Sequence, residues 1–274
     1  MTVYLEVINL AVSVDRRALM EAEFAAAGLV PNFFPAVHFR DVEPEELARY
    51  CLPHGPWGRT RPGHMATTIS HMRAWQRFLE TDCLHCAIFE DDVFVATELG
   101  RWFADMSWWP DDADMVKLEA WRRQGTSVLL RKPKSSVHGR QVRRLLTRHM
   151  GAAGYVITRD AARKLIEAQP YAMVIDHLLF NFNASRVAAG LRTYQIQPAL
   201  VAQGNEPSGS SRMDANESIS RREYWMREAR RAWLEIAHPL ATYGKFLSGV
   251  ARFEKVPYRG EPDGDLTDHA VQRP

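Results

Sequence analysis

The amino-terminal segment alternates an apolar run, an amphipathic stretch and a second extended run, and this order limits the fold more than any other feature. Val3–Leu10 is nearly continuous in β-branched and apolar residues, which predicts a strand buried on both faces of a parallel sheet. Apolar residues then recur at helical spacing between residues 19 and 27, and Gly28 stands where a helix carboxyl cap belongs. A second strand is predicted around residues 32–37. This βαβ opening predicts an α/β fold with a mostly parallel central sheet flanked by helices.

Later segments continue the pattern and divide the chain. We predict a main domain over residues 1–217, a basic helical extension over 218–252 and a flexible tail over 253–274. Residues 121–149 are rich in Lys and Arg and predict a basic hairpin or an excursion from the sheet. The remaining predicted elements are a short helix within 40–64, helices at 67–80, 97–106, 160–168, 174–189 and 220–238, strands at 86–89, 114–119, 152–157 and 194–202, and a mobile loop at 203–217.

The composition is that of an ordinary globular protein. Apolar residues make up 46% of the 274 positions and charged residues 25%. The net charge of +2 is too small to indicate a nucleic-acid partner. Three cysteines, the absence of a positively charged leader and the lack of a long apolar run predict a cytoplasmic protein.

Three consecutive carboxylates, Glu90, Asp91 and Asp92, lie between two apolar runs. Burial of unpaired carboxylates is costly, so either a divalent cation neutralises them or a tight turn exposes them to water. Mg²⁺ and Mn²⁺ prefer oxygen ligands and retain open positions for phosphates. Because ligands of open α/β sheets bind at the carboxyl edge, the triplet predicts a metal–diphosphate site there, with a plain surface turn as the alternative.

Six segments in order resemble the glycosyltransferases of family 25, which include bacterial lipooligosaccharide galactosyltransferases and collagen-modifying relatives. The resemblance covers roughly residues 3–215. It implies a GT-A-like nucleotide-binding fold, an inverting mechanism and a nucleotide-sugar donor, often UDP-galactose, with a saccharide or glycolipid acceptor. The basic segment 121–149 and the Arg-rich extension have no match in it. The matching segments are VINLAVSVDRR (7–17), TISHMRAW (68–75), IFEDDV (88–93), MVKLEAW (115–121), GAAGYVITRDAARKLIE (151–167) and VIDHLL (174–179).

The resemblance assigns the acidic motif to a divalent metal, Mn²⁺ or Mg²⁺, and to the UDP-sugar. It implies that Asp92 ligates the metal directly. Glu90 is expected near the donor ribose or in the water shell of the metal, with Asp91 in support. A metal bridging the two phosphates stabilises the charge that builds on the departing UDP.

Inversion needs a general base that takes the proton of the acceptor hydroxyl. Asp176 is the first candidate because the late Asp segment of the family falls there, although an Asp at a helix start also acts as a cap. Glu119, near the end of a strand beside the acidic motif, is the second candidate.

Other donor-site residues lie after the first strand and on the third helix. Asn9 and Leu10 are expected beside the uridine, and Arg16 and Arg17 within reach of the phosphates, although a solvated helix face suits one arginine equally. Ser70 and His71 are carried over from the family as donor-site residues; a half-buried His is also common as a hydrogen-bonded core residue. Tyr155 is expected to pack in the core.

Two other functions and one further partner stay open at this stage. The same acids suit a metal-dependent phosphohydrolase, and a non-catalytic binding protein could use such a scaffold. The basic segment and the Arg-rich helix predict either solvated faces or peripheral contact with the anionic inner membrane surface.

Overall fold

A computed structural model describes residues 3–55, 58–121, 125–133, 135–204 and 244–260, together with residues 221, 222, 225, 226, 228, 229, 232 and 233. The helices are α1 (Val14–Ala26), α2 (Pro44–Tyr50), α3 (Pro62–Leu79), α4 (Leu99–Ala104), α5 (Arg159–Glu167), α6 (Ile175–Phe180) and α7 (Arg186–Gly190). The strands are β1 (Val3–Asn9), β2 (Asn32–Pro35), β3 (His54–Gly55), β4 (Gly58–Arg59), β5 (His85–Glu90), β6 (Val93–Val95), β7 (Met115–Lys117), β8 (Glu119–Ala120), β9 (Ser127–Arg131), β10 (Gln141–Arg144), β11 (Gly154–Thr158), β12 (Thr193–Gln197), β13 (Val201–Gln203) and β14 (Ala251–Lys255).

A seven-stranded sheet, ordered β10-β12-β7-β11-β5-β1-β2, forms the centre of the molecule. Strands β2, β1, β5, β7 and β12 share one direction, and β11 and β10 run against them. The mixed but mostly parallel sheet with flanking helices confirms the predicted α/β class. Because β1 and β5 are parallel neighbours, the residues that follow them emerge side by side at one edge.

Both faces of the central sheet are covered, as the apolar run of β1 predicts. Val3, Leu5 and Val7 point to one face, with α1 and α4 packed over it. Ile8 points to the other face, which is covered by α3 and α5. The alternation of side chains along a strand therefore divides the apolar residues between two cores.

Two predicted helices have different bounds. Helix α3 begins at Pro62, five positions before the predicted start, because proline suits the first helical turn, where no amide donor is needed. The single helix predicted over 174–189 is interrupted after Phe180. The Ser185 hydroxyl accepts a hydrogen bond from the Ala188 amide at 3.1 Å and starts α7 as a separate helix.

Strands β9 and β10 of the basic segment do not pair as a hairpin, and β9 instead fits the predicted excursion from the sheet. β10 joins the central sheet through β12, and β9 pairs with β14. Buried Arg143 on β10 contacts β14, since its guanidinium donates to the carboxylate of Glu254 at 2.7 Å and 3.0 Å. Arg143 therefore connects the basic segment to strand β14 near the carboxyl terminus.

The predicted tail boundary at residue 253 falls inside strand β14 and is wrong. Residues 251–255 pair with β9, and Tyr258 bridges to Ala199. The predicted loop at 203–217 lies almost entirely outside the described residues, as do positions 261–274. The described positions between 221 and 233 are helical, as predicted. Within the part of the chain that the structure describes, no helix has the length and apolarity needed to cross a bilayer.

Candidate active site

A cleft of about 670 Å³ opens at the carboxyl edge of β1 and β5. Its walls come from the loops after these strands, from α3, from the segment before β11 and from the start of α6. The lining includes residues from most of the sequence motifs singled out above: Leu10, Arg16, Ser70, His71, Glu90, Asp91, Asp92 and Asp176. Asn9, Arg17 and Glu119 do not line it.

Asp91 is held by residues of the β1–α1 connection. The side-chain amide of Asn9 donates to Oδ2 of Asp91 at 2.7 Å, and Arg16 donates to Oδ1 at 2.9 Å. Ile8 and Glu90 are register partners on adjacent parallel strands, so the two loops emerge together. Asp91 thus has its charge balanced by the protein and fixes the shape of the turn.

Glu90 and Asp92 face each other, and among the described residues neither has a hydrogen bond from an arginine like the one that Arg16 donates to Asp91. The side-chain amide of Gln203 lies between them, 3.3 Å from Oε2 of Glu90 and 3.2 Å from Oδ2 of Asp92. Burial, followed by the charges of Glu119, Asp91 and Asp176, raises the pKa of Glu90 to about 8. Burial and the neighbouring Glu90 raise the pKa of Asp92 to about 7.

Gln203 is a site residue that the sequence analysis missed. It ends β13, which pairs with β6 directly after the acidic turn. In the sequence Gln203 is the first residue of a polar, turn-rich stretch, and no local pattern distinguishes it from its neighbours. Only the pairing of β6 with β13 brings it to the acids.

His71 is fully buried and belongs to a chain of hydrogen bonds under the cleft. Its Nδ1 lies 2.9 Å from the hydroxyl of Tyr155, and Nε1 of Trp75 lies 2.9 Å from the same hydroxyl. The indole can only donate, so the hydroxyl oxygen accepts from Trp75 and its own proton points to Nδ1. The opposite assignment would leave the hydroxyl proton without an acceptor among the described residues. The imidazole proton is therefore on Nε2, which faces Oε1 of Glu90 at 3.6 Å.

Burial lowers the pKa of His71 to about 3, so the ring is neutral at neutral pH. The neutral ring places an N–H beside Glu90, at a separation of 3.6 Å that is longer than a hydrogen bond. The ring is a hydrogen-bonded core residue and also lines the cleft, and its role in donor binding stays a prediction. Tyr155 is buried in the core, as expected, and also sets the ring orientation.

Ser70 connects α3 to the loop that follows β2. Its hydroxyl donates to the carbonyl of Ala66 at 2.8 Å and accepts from the amide of Val37 at 2.8 Å. Arg17 points away from the cleft. Its Nε donates to Glu21 at 3.0 Å, and its guanidinium lies over the ring of Phe33 at 4.5 Å. Of the two arginines, Arg16 is thus the one at the cleft.

Glu119 is enclosed below the cleft floor. Its Oε2 accepts from Nζ of Lys117 at 2.8 Å and from the amide of Ala153 at 3.0 Å. Lys117 and Glu119 are both fully buried. A Cβ at Gly151, whose φ is +85°, would lie only 2.1 Å from Oε1 of Glu119. Glu119 is therefore one half of a buried ion pair and exposes no surface to the cleft.

Asp176 lies in the first turn of α6 and lines the cleft. Its Oδ1 accepts a hydrogen bond from the backbone amide of His177 at 2.8 Å. Its charge is close enough to contribute to the raised pKa of Glu90. One carboxylate oxygen is thus hydrogen-bonded at the helix start, and the side chain still faces the cleft.

The cleft offers oxygen ligands that suit a divalent cation. Among the described residues, no group of three or more His, Cys, Asp and Glu side chains is close enough to hold a metal. Glu90 and Asp92 offer two carboxylates with raised pKa values and no cationic partner in their hydrogen bonds. Two carboxylates, completed by phosphate oxygens and water, fit Mg²⁺ or Mn²⁺ and do not fit an all-protein zinc site.

The protein is an α/β protein with an acidic cleft at the carboxyl edge of a mostly parallel sheet. This edge is where open α/β sheets usually bind their ligands. The family described as glycosyltransferase family 25 (LPS biosynthesis protein) matches residues 2–179. The chain belongs to this family and is a glycosyltransferase. This membership decides against the phosphohydrolase and the non-catalytic protein.

Curated relatives include the lipooligosaccharide biosynthesis protein lic2B of Haemophilus influenzae, 28% identical over 208 residues, or 72% of this chain and 74% of the relative. The lacto-N-neotetraose biosynthesis glycosyltransferase LgtE of Neisseria meningitidis serogroup B is 28% identical over 214 residues, covering 72% of each chain. Among solved structures, a glycosyltransferase involved in the glycosylation of the major capsid of PBCV-1 aligns over 86% of this chain and 100% of its own, at 11% identity. Its TM-score of 0.40 is too low to support a structural argument.

Proposed function

We propose that this protein is an inverting, divalent-metal-dependent hexosyltransferase with a GT-A-like fold. It moves a hexose, galactose from UDP-galactose in the first instance, to a saccharide or glycolipid acceptor in lipopolysaccharide or lipooligosaccharide synthesis. The observation that carries this proposal is the meeting of Glu90, Asp92 and Asp176 in one cleft. The relatives named for lipooligosaccharide and lacto-N-neotetraose biosynthesis, and the family itself, support this class of product.

Glu90 and Asp92 are the residues that would hold the cation. When bound, a divalent cation neutralises the diphosphate and the charge that builds on the departing UDP. Asp91 does not take part directly, because Asn9 and Arg16 occupy its two oxygens. Arg16 remains close enough to add positive charge near the phosphates, and Leu10 and Val37 contribute apolar surface where the uridine would lie.

Asp176 is the proposed general base. It faces the cleft from α6, on a different element from the acidic turn, so that an acceptor can lie between base and donor. Its hydrogen bond with the His177 amide fixes the carboxylate orientation. Glu119 is not retained in this role, because its carboxylate is bound to Lys117 and enclosed.

The test is a panel of nucleotide sugars incubated with the protein and Mn²⁺, with release of the nucleotide as the readout. We expect UDP release from one donor, lost on removal of the metal with EDTA and reduced by about 100-fold or more in Asp92→Asn. The matched control is Asp160→Asn, an exposed carboxylate on α5. Full activity in EDTA, or an Asp92→Asn variant as active as the control, would refute the metal site.

A further inference from the structure

The carboxyl-terminal arm, residues 244–260, carries a cluster of exposed apolar side chains. Leu247 is 80% exposed, Phe253 49%, Phe246 41% and Val250 40%. The rings of Phe246 and Phe253 pack against each other at 5.6 Å between centroids. Large apolar side chains that lie together on a surface mark an interaction site more often than isolated ones do.

The arm holds these side chains on a fixed support. Strand β14 pairs with β9 along its whole length, and the amide of Lys132 donates to the carbonyl of Val250 at 2.9 Å. A helical turn before the strand ends at Gly249, whose φ of +68° allows the sharp reversal. The apolar cluster is therefore the tip of a structure anchored to the body of the protein.

Among the described residues of the arm and of the neighbouring end of β9, the exposed charged side chains have one sign. They are basic and lie close to the apolar side chains in sequence or across the pairing of β14 with β9. Glu254 is the only acid between residues 244 and 255, and Arg143 neutralises it through contacts of 2.7 Å and 3.0 Å. The basic residues are Arg131, Lys132, Lys245, Arg252 and Lys255.

We propose that this surface docks the protein on an anionic lipid bilayer. The apolar tip would enter the boundary between head groups and acyl chains, and the surrounding Lys and Arg side chains would contact the lipid phosphates. A second copy of the chain is a poor occupant, because a two-fold contact would bring two positive surfaces together.

The proposal deepens the proposed function and depends on it only in the choice of a lipid-borne acceptor. The arm is also connected to the cleft. Tyr258 bridges to Ala199, which precedes the strand that ends at Gln203 between Glu90 and Asp92. Docking through the arm would therefore anchor the domain that contains the acidic cleft to the bilayer.

The experiment is sedimentation of the full chain with vesicles of phosphatidylcholine alone and of phosphatidylcholine containing phosphatidylglycerol. We expect binding to the anionic vesicles that weakens with salt, and weak binding to the neutral ones. Phe246→Ser/Leu247→Ser should reduce the affinity by about tenfold or more. Lys132→Gln/Lys245→Gln/Arg252→Gln should reduce it by about 100-fold.

Matched controls alter the same residue types elsewhere on the surface. Val30→Ser/Leu84→Ser removes exposed apolar side chains, and Arg49→Gln/Arg101→Gln/Arg186→Gln removes three exposed charges. Both controls should sediment like the wild type. Equal sedimentation of arm variants and controls would overturn the proposal, as would equal binding to the two vesicle types. Self-association that is lost only in the arm variants would also overturn it and identify a second copy as the occupant.

Donor hydrolysis without vesicles separates this proposal from the proposed function. The arm variants should release UDP at the wild-type rate, because no residue of the arm lines the cleft. Vesicle binding without any donor hydrolysis would count against the hexosyltransferase and leave the docking surface standing.

Discussion

The hydroxyl of Tyr155 lies 2.9 Å from Nδ1 of His71, and this contact determines which nitrogen of the buried imidazole carries the proton. Since the hydroxyl oxygen already accepts a hydrogen bond from Trp75, its own proton goes to Nδ1 and the ring proton is on Nε2. That nitrogen lies 3.6 Å from Oε1 of Glu90, so a tyrosine of the core places an N–H beside an acidic residue of the cleft.

Tyr155→Phe removes the hydroxyl and leaves Nδ1 of His71 and Nε1 of Trp75 without a partner. We expect the free energy of unfolding to fall by about 1–3 kcal/mol and donor hydrolysis to fall by about tenfold, because the ring no longer presents an N–H to Glu90. Tyr171→Phe is the matched control, since its buried hydroxyl donates to the carbonyl of Leu165 at 3.0 Å and the residue does not line the cleft. Nitrogen NMR of His71 in the wild type should show a protonated Nε2, and a protonated Nδ1 would contradict the assignment.

The buried pair of Lys117 and Glu119 is expected to act in stability rather than in proton transfer. Glu119→Gln should lower the free energy of unfolding by about 3–5 kcal/mol, because it leaves the ammonium group buried and uncompensated. The double variant Lys117→Met/Glu119→Gln should recover a large part of this loss, as urea unfolding of the four proteins would show. If Glu119→Gln folds normally and loses only transfer to the acceptor, Glu119 returns as the candidate base.

Asp176→Asn tests the proposed general base. The substitution should reduce transfer to an acceptor by about 100-fold or more, since proton removal by a positioned side chain contributes about that much. Binding of UDP, followed by calorimetry, should change little because Asp176 is assigned to the acceptor. Asp160→Asn on α5 should leave both quantities unchanged. A variant that loses UDP binding and transfer together would place Asp176 in the donor site instead.

Glu6 gives the fold a pH dependence separate from the cleft. Its side chain is fully buried on β1, and burial raises its pKa to about 7, while Arg77 at 3.4 Å opposes the shift. The folded state therefore holds this proton more tightly than the unfolded state, whose pKa is near 4.5. The resulting stability is fully present below about pH 4.5 and is lost as the pH rises through about 7.

Glu6→Gln should remove this dependence. We expect the variant to be more stable than the wild type at pH 8, by up to about 3 kcal/mol, and closer to it at pH 5. Urea unfolding of both proteins at the two pH values measures the difference. Because the two proteins differ only at Glu6, the comparison separates its effect from that of the other buried carboxylates. If the free energy of unfolding changed equally with pH in both proteins, the raised pKa of Glu6 would be disproved.

The sequence by itself determined the α/β class and the position of the acidic turn. Val3–Asn9 and His85–Glu90 are strands that consist mostly of apolar residues, and such strands are stable only when both faces are covered. The carboxylates that follow β5 were therefore expected at the edge of a sheet. Local patterns were sufficient because the periodicity of a strand or a helix is a property of neighbouring residues.

Only the tertiary structure decided which of these polar residues share a site. It joined Gln203 to Glu90 and Asp92, enclosed Glu119 with Lys117 and turned Arg17 towards Glu21. It also placed the first residues of the expected flexible tail, 253–255, in strand β14. The contacts of Gln203 and the strand β14 depend on pairing between segments far apart in the chain, which neighbouring residues do not indicate. The pairs Lys117–Glu119 and Arg17–Glu21 are local in sequence, but the packing around them decides whether their side chains reach the cleft.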